Sequence, residues 1–185
     1  MERLTLTQAA QALGVPQHRL IHLCEENVIV PDVQGARGRG SSRAFSERNL
    51  FEFAVALEMR RSELPVSFVR AVLQVLRTFE TEVRRDVHEF VLPGTLRSKR
   101  GPQLSLLILD GERLYFVLHR PGHAPTTFGG VEIPRPLVRG RARRHQTVGR
   151  LRPIDAKREL AAARTRTEID LSAIARDPTT LDDEN

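Results

Sequence analysis

Leu6-Thr7-Gln8-Ala9-Ala10-Gln11-Ala12-Leu13-Gly14 reads as a short helix with an abrupt stop. Thr7 is placed to cap it or to sit in its first turn, and Gly14 can take the left-handed conformation that ends helices. Ala9, Ala10 and Leu13 form one apolar face. Val15-Pro16 restarts the chain, and proline suits the first turn of a second helix, expected to run to about Asn27. In that helix Leu20, Leu23 and Cys24 make the inward stripe, which leaves Gln17, His18, Arg19 and His22 outside. Two short helices joined by a tight glycine turn form the helix-turn-helix pattern. Its second helix presents polar residues near its N-terminus to the DNA major groove. Gln17, His18, Arg19 and His22 are therefore the candidate base-reading residues.

The next segment adds to this pattern. Val28-Ile29-Val30-Pro31 is a short extended exit, followed by the basic, glycine-rich stretch Gly35-Ala36-Arg37-Gly38-Arg39-Gly40-Ser41-Ser42-Arg43. Glycine allows close backbone approach and arginine supplies phosphate contacts, so Arg37, Arg39 and Arg43 are candidates to grip phosphates or enter the minor groove. The bland alternative is a solvated linker. Ser46 is a good N-cap for a third helix from Glu47 to about Arg61, with Leu50, Phe51, Ala54, Leu57 and Glu58 at helical spacing.

After Leu64-Pro65 the spacing of Val69, Val72, Leu73, Leu76, Phe79, Val83, Val87 and Phe90 predicts a long helix from Val66 to about Val91. It fits an antiparallel coiled-coil helix joining two subunits. It equally fits a core helix under a β-sheet. The pattern then changes. Gln103–Leu109 and Arg113–His119 read as strands around the turn pair Asp110-Gly111, and Thr126 to Ile133 as a third strand containing Gly129-Gly130. Residues 134–153 read as an irregular basic segment, Ala156 to about Thr165 as a weakly apolar helix capped by Asp155, and Leu171–Arg176 as another short helix. The expected fold class is α+β: an N-terminal winged helix-turn-helix over 1–65, a long connecting helix over 66–92 with dimerisation as one candidate role, a small antiparallel β-meander over 101–134, and a basic, partly disordered C-terminal segment over 135–185.

Composition bounds the function classes. The formal net charge is +6 with 29 basic residues, only Lys99 and Lys157 being lysine, so acidic partners and nucleic acid first are favoured. The location of charge matters more than its total, because an arginine-rich composition also follows from codon bias. Residues 1–60 carry as many acidic as basic groups, whereas Arg135, Arg139, Arg141, Arg143, Arg144, Arg150 and Arg152 form a block with no acid between Ile133 and Ile154. Within it, Arg139, Arg141, Arg143 and Arg144 are either a second contact for nucleic acid or an acidic partner, or a solvated linker. There is no apolar run long enough to cross a membrane and no secretory pattern at Met1–Leu6, so a cytoplasmic, nucleoid-associated protein is expected.

Little else points to chemistry. Cys24 is the single cysteine, which excludes an intrachain disulfide or a multi-thiolate site. His119 and His123 flank a Pro-Gly turn rather than sitting at ligand spacing on one rigid element, so no metal is expected. Glu25 and Glu26 are adjacent and diverge on a helix. Ser41-Ser42 has no His or Asp partner nearby, and Gly35–Gly40 is not followed by Gly-Lys-Ser/Thr. No enzyme activity and no cofactor are expected.

The first 75 residues resemble the winged helix-turn-helix domain of the MerR family. The likeness rests on the helix pair turning at Gly14-Val15, the exit Val28-Ile29-Val30-Pro31, the wing, the stretch Arg43-Ala44-Phe45-Ser46-Glu47-Arg48-Asn49-Leu50, and the link Leu64-Pro65-Val66-Ser67-Phe68-Val69. Family members carry an arginine and two aromatics midway through the second helix, where this chain has Ile21, His22 and Leu23. The resemblance implies a bacterial transcriptional regulator that binds double-stranded operator DNA as a homodimer. Two other readings fit the same residues. One is an antitoxin-like or adaptor protein whose C-terminal half binds a protein partner, with DNA binding for autoregulation. The other is an excisionase-like architectural DNA-binding factor.

Overall fold

In the computed structural model, which describes residues 3–32, 44–85, 87–88, 90–133 and 151–179, each N-terminal helix is bounded by its own side chains. Helix α1 (Leu6–Leu13) is capped by Thr5, whose hydroxyl accepts from the Gln8 amide while the Gln8 side chain returns to the Thr5 amide. Of the two places read for Thr7, cap or first turn, it takes the first turn. Gly14 ends α1 at φ 66°, and the Val15 amide reaches back to the Ala10 carbonyl at 3.1 Å. Helix α2 (Gln17–Glu25) starts after Pro16 and stops short of the expected Asn27, which instead takes φ 51°. The amides of Asn27 and Val28 close onto Cys24 and Leu23 at 3.0 and 2.9 Å, the same left-handed helix ending.

Helix α3 (Glu47–Arg61) is capped by Ser46 as read from the sequence. Its apolar face is wider than the expected stripe. Phe51, Phe53, Ala54, Val55, Ala56, Leu57 and Met59 are all buried, whereas Leu50 and Glu58 are only partly so. A helix apolar on nearly every side belongs inside a core, not over one. Helix α1 packs on both α2 and α3, and an isolated antiparallel bridge joins Leu4 to Phe45. The chain divides into two compact units, Met1–Arg70 with Ala173–Asn185, and Ala71–Ser172.

Helix α4 (Val66–Val83) is shorter than the expected Val66–Val91. Beyond it the Arg84 Nε donates to the Phe90 carbonyl at 2.7 Å, and the chain folds back so that the Phe90 ring meets Phe79 edge-on at 5.9 Å. Phe90 and Leu92 continue an apolar spacing without continuing the helix; a short 3-10 turn, Gly94–Leu96, follows.

The second unit is built on a sheet of strands β1 (Gln103–Leu109), β2 (Arg113–His119), β3 (Thr126–Glu132), β4 (Arg152–Pro153) and β5 (Arg166–Asp170), in the order β4-β3-β2-β1-β5. All pairings are antiparallel. The expected three-stranded meander is thus the centre of a larger sheet. The helix expected to reach Thr165 is α5 (Lys157–Ala162), and the residues after it form an edge strand on β1. Helix α6 (Leu171–Arg176) stands where it was read, and its buried Ser172 Oγ accepts from the Leu104 amide at 2.7 Å.

One face of this sheet receives Phe79 of α4, stacked on Phe116 at 4.6 Å and edge-on to Phe128 at 5.2 Å. Val69, Val72, Leu73, Leu76, Phe79 and Val83 are buried within a single chain, and Phe79 of that stripe packs on the sheet, so α4 does not present a free coiled-coil seam. On the other face Leu107, Leu109 and Tyr115 pack with Ala156, Ile154, Leu160 and Ala163. The β2–β3 register shifts between Leu114 and Phe116, which sets Gly129-Gly130 opposite the single Tyr115. A Cβ on Gly129 would lie 2.6 Å from Ile154 and 2.7 Å from the Tyr115 ring, so glycine is needed for that close approach. At the hairpin, Asp110 and Gly111 have φ 53° and 70°. The first ladder pair is Leu109–Arg113, one residue beyond a two-residue loop. The Asp110 carboxylate accepts from the Thr165 and Arg164 amides and from Arg113, which ties the turn to the start of β5 and holds its carboxyl below the usual range.

Candidate nucleic-acid interface

The geometry of α2 follows from its burial pattern. Leu20, Leu23 and Cys24 are buried at 0%, 2% and 8% exposure, which fixes the rotation of the helix. At 100° per residue, Gln17, His18, Ile21, His22 and Glu25 then share one outward arc, and all are exposed. The predicted base-reading residues Gln17, His18 and His22 thus stand together. Arg19 falls on the margin of that arc and is half-buried. The Thr7 hydroxyl lies 3.4 Å from the Gln17 side-chain oxygen, linking the first turns of α1 and α2.

The exit of α2 is joined to the start of α3 by a set of polar contacts. Asn49 is fully buried. Its side-chain oxygen accepts from the Asp32 amide at 2.9 Å and the Ser46 amide at 3.3 Å, and its Nδ2 donates to the Val30 carbonyl at 3.1 Å. The Ser46 hydroxyl donates to the Asp32 carboxylate at 2.5 Å. These contacts bring together the two flanks of the segment 33–43, Val30–Asp32 before it and Phe45–Ser46 after it. The Leu4–Phe45 bridge, with N–O distances of 2.9 and 2.8 Å, holds the second flank to the N-terminus. The candidate wing residues Arg37, Arg39 and Arg43 lie outside the described residues. So do Arg139, Arg141, Arg143 and Arg144 of the second basic block.

Several other basic side chains of this unit are committed to local contacts. Arg48 pairs with Glu52 at 3.4 Å, Arg61 with Glu58 at 3.4 Å, and Arg60 donates to the Leu64 carbonyl at 2.5 Å. Arg70 donates to the Glu26 carbonyl and lies 3.4 Å from its carboxylate. Glu26, the C-cap residue of α2, is thus tied to α4. Cys24 is buried in α2. His123 Nδ1 lies 2.9 Å from the Pro121 carbonyl within its own turn, and His119 is exposed at the end of β2. Among the described residues, no group of three or more His, Cys, Asp or Glu is placed to hold a metal ion. Among them too, no helix is long and apolar enough to cross a membrane.

Two contributors were not singled out by sequence reasoning. Ile21 sits in the outward arc of α2 at 38% exposure. Asn49 was visible only as part of a motif, because its partners lie 17 and 19 residues away in sequence. No protein-family model matches this chain, and no curated protein matches it in sequence.

Proposed function

We propose that the chain is a sequence-specific DNA-binding regulator of transcription that acts as a pair of copies on a partly palindromic operator. The observation that carries this reading is the joint placement of two features. Helix α2 turns Gln17, His18 and His22 outward on one arc. The Asn49 contacts tie the exit of that helix to the far flank of the arginine-bearing segment 33–43. An outward helix arc reads base edges in the major groove, and arginines on a flanking segment hold the backbone in register. The resemblance of the first 75 residues to the MerR winged helix-turn-helix supports the same assignment. The surface joining the copies lies elsewhere than the α4 stripe, whose residues are buried within one chain.

The test is a salt titration of the purified chain on the DNA upstream of its own coding sequence. Removing one arginine–phosphate interaction lowers the slope of log affinity against log salt by about one. Changing Arg37, Arg39 and Arg43 together to Ala is expected to lower that slope by about three and to weaken binding. Unchanged affinity and slope would remove the wing from the reading.

A further inference from the structure

We propose that Ile21 determines specificity in the same interface by packing on the 5-methyl group of a thymine in the major groove. This rests on the DNA-binding reading above. Ile21 is the apolar member of an otherwise polar arc that runs around the helix in the order Gln17, Ile21, Glu25, His18, His22. The inward stripe, Leu20, Leu23 and Cys24, is complete without it. A β-branched residue in an exposed helix position has poorer helix propensity than alanine or a long polar residue, so it adds nothing to the helix itself. It is the fifth residue of a nine-residue helix, one turn on from the N-terminal residues that contact base edges in this motif and on the same outward arc as Gln17 and His18. Thymine is the base that offers an apolar group there, and aliphatic contact with its methyl is an established form of direct readout. The neighbours Gln17, His18 and His22 supply the hydrogen-bonding groups for adjacent base edges.

The test separates this inference from the reading beneath it. Duplexes that bind the full-length chain are selected from a random pool, and the recovered site is then remade with deoxyuridine replacing one thymine at a time. Uracil keeps every hydrogen-bonding edge and removes only the methyl. At one position the wild-type chain is expected to lose about fourfold in affinity, the value of one buried methyl-sized group. Ile21→Ala is expected to bind the thymine and uracil duplexes equally, with the salt slope of the wild type. Ile21 is exposed, so this variant keeps the core intact, and its circular dichroism should match the wild type. If uracil weakens Ile21→Ala as much as wild type, or weakens neither, Ile21 does not read thymine while DNA binding stands. If the wild type recovers no shared sequence, this inference falls together with the reading on which it rests.

Discussion

At the residue scale, Asn49 shows how one side chain can join two stretches of backbone that flank a segment it does not belong to. Its amide accepts from Asp32 and Ser46 and donates to Val30, all on backbone atoms. Removing a buried partner leaves those groups desolvated and unpaired, at a cost of about 1–3 kcal/mol. Asn49→Ala is expected to lower stability by that amount in urea unfolding, seen as a lower midpoint at unchanged slope. Asn49→Asp keeps the acceptor but sets a buried carboxylate against the Val30 carbonyl, and should cost at least as much. Tyr115 gives a second residue-scale outcome. Burial first, then its hydrogen bond to Glu159, pushes its phenol up from 10.0 to about 12. Between those values the unfolded chain ionises while the folded one stays protonated, so the stability this residue contributes is intact below about pH 10 and is lost as pH rises toward 12. Unfolding measured from pH 9 to 12 should show this decline in the wild type and a shallower one in Tyr115→Phe. Sequence patterning exposed some of these residues and hid others. Gln17, His18 and His22 were legible because Leu20, Leu23 and Cys24 fix the rotation of α2. Ile21 was not, since it belongs neither to the inward stripe nor to the hydrogen-bonding residues by which base readers are recognised. Asn49 was not, since hydrogen bonds spanning 17 and 19 residues leave no local pattern.

At the element scale, the short-range signals survived and the long-range ones did not. Ser46 starts α3, and the strands around Asp110-Gly111 run over the residues where alternation placed them. Both depend on neighbours in sequence. The end of α4 escaped notice because Phe90 continues the helical spacing while folding back onto Phe79. Strand β5 escaped because Arg-Thr-Glu-Ile-Asp carries a single large apolar residue, Ile169, and is recruited as an edge by hydrogen bonding to β1. The choice between coiled-coil seam and sheet cover for α4 depended on whether β1–β3 found their partner helix in the same chain, which the spacing of apolar residues does not encode. The bulge at Gly129-Gly130 gives this scale its prediction. Gly129→Ala would drive a methyl into Ile154 and the Tyr115 ring. Overpacking of this kind costs about 1–3 kcal/mol. Thermal unfolding should show the loss, and adding Ile154→Ala should recover part of it by freeing the space, a non-additivity expected of residues that touch.

At the scale of the whole molecule, charge and fold point in different directions. The net charge of +6 is not concentrated in the helix pair, since residues 1–60 are charge-balanced. The DNA-binding reading therefore depends on where a few groups stand: the outward arc of α2 and the arginines of segment 33–43. The second unit has side chains packed on both faces of its sheet. The proposed assignment gives it no part in reading DNA. The central claim is that the α2 arc selects a DNA sequence, and sequencing of the DNA cross-linked to the chain in cells tests it most directly. The account predicts a recurrent sequence element in the wild-type sample and its disappearance when Gln17, His18 and His22 are changed together to Ala. Recovered DNA with no shared element, or the same element from both proteins, would contradict it.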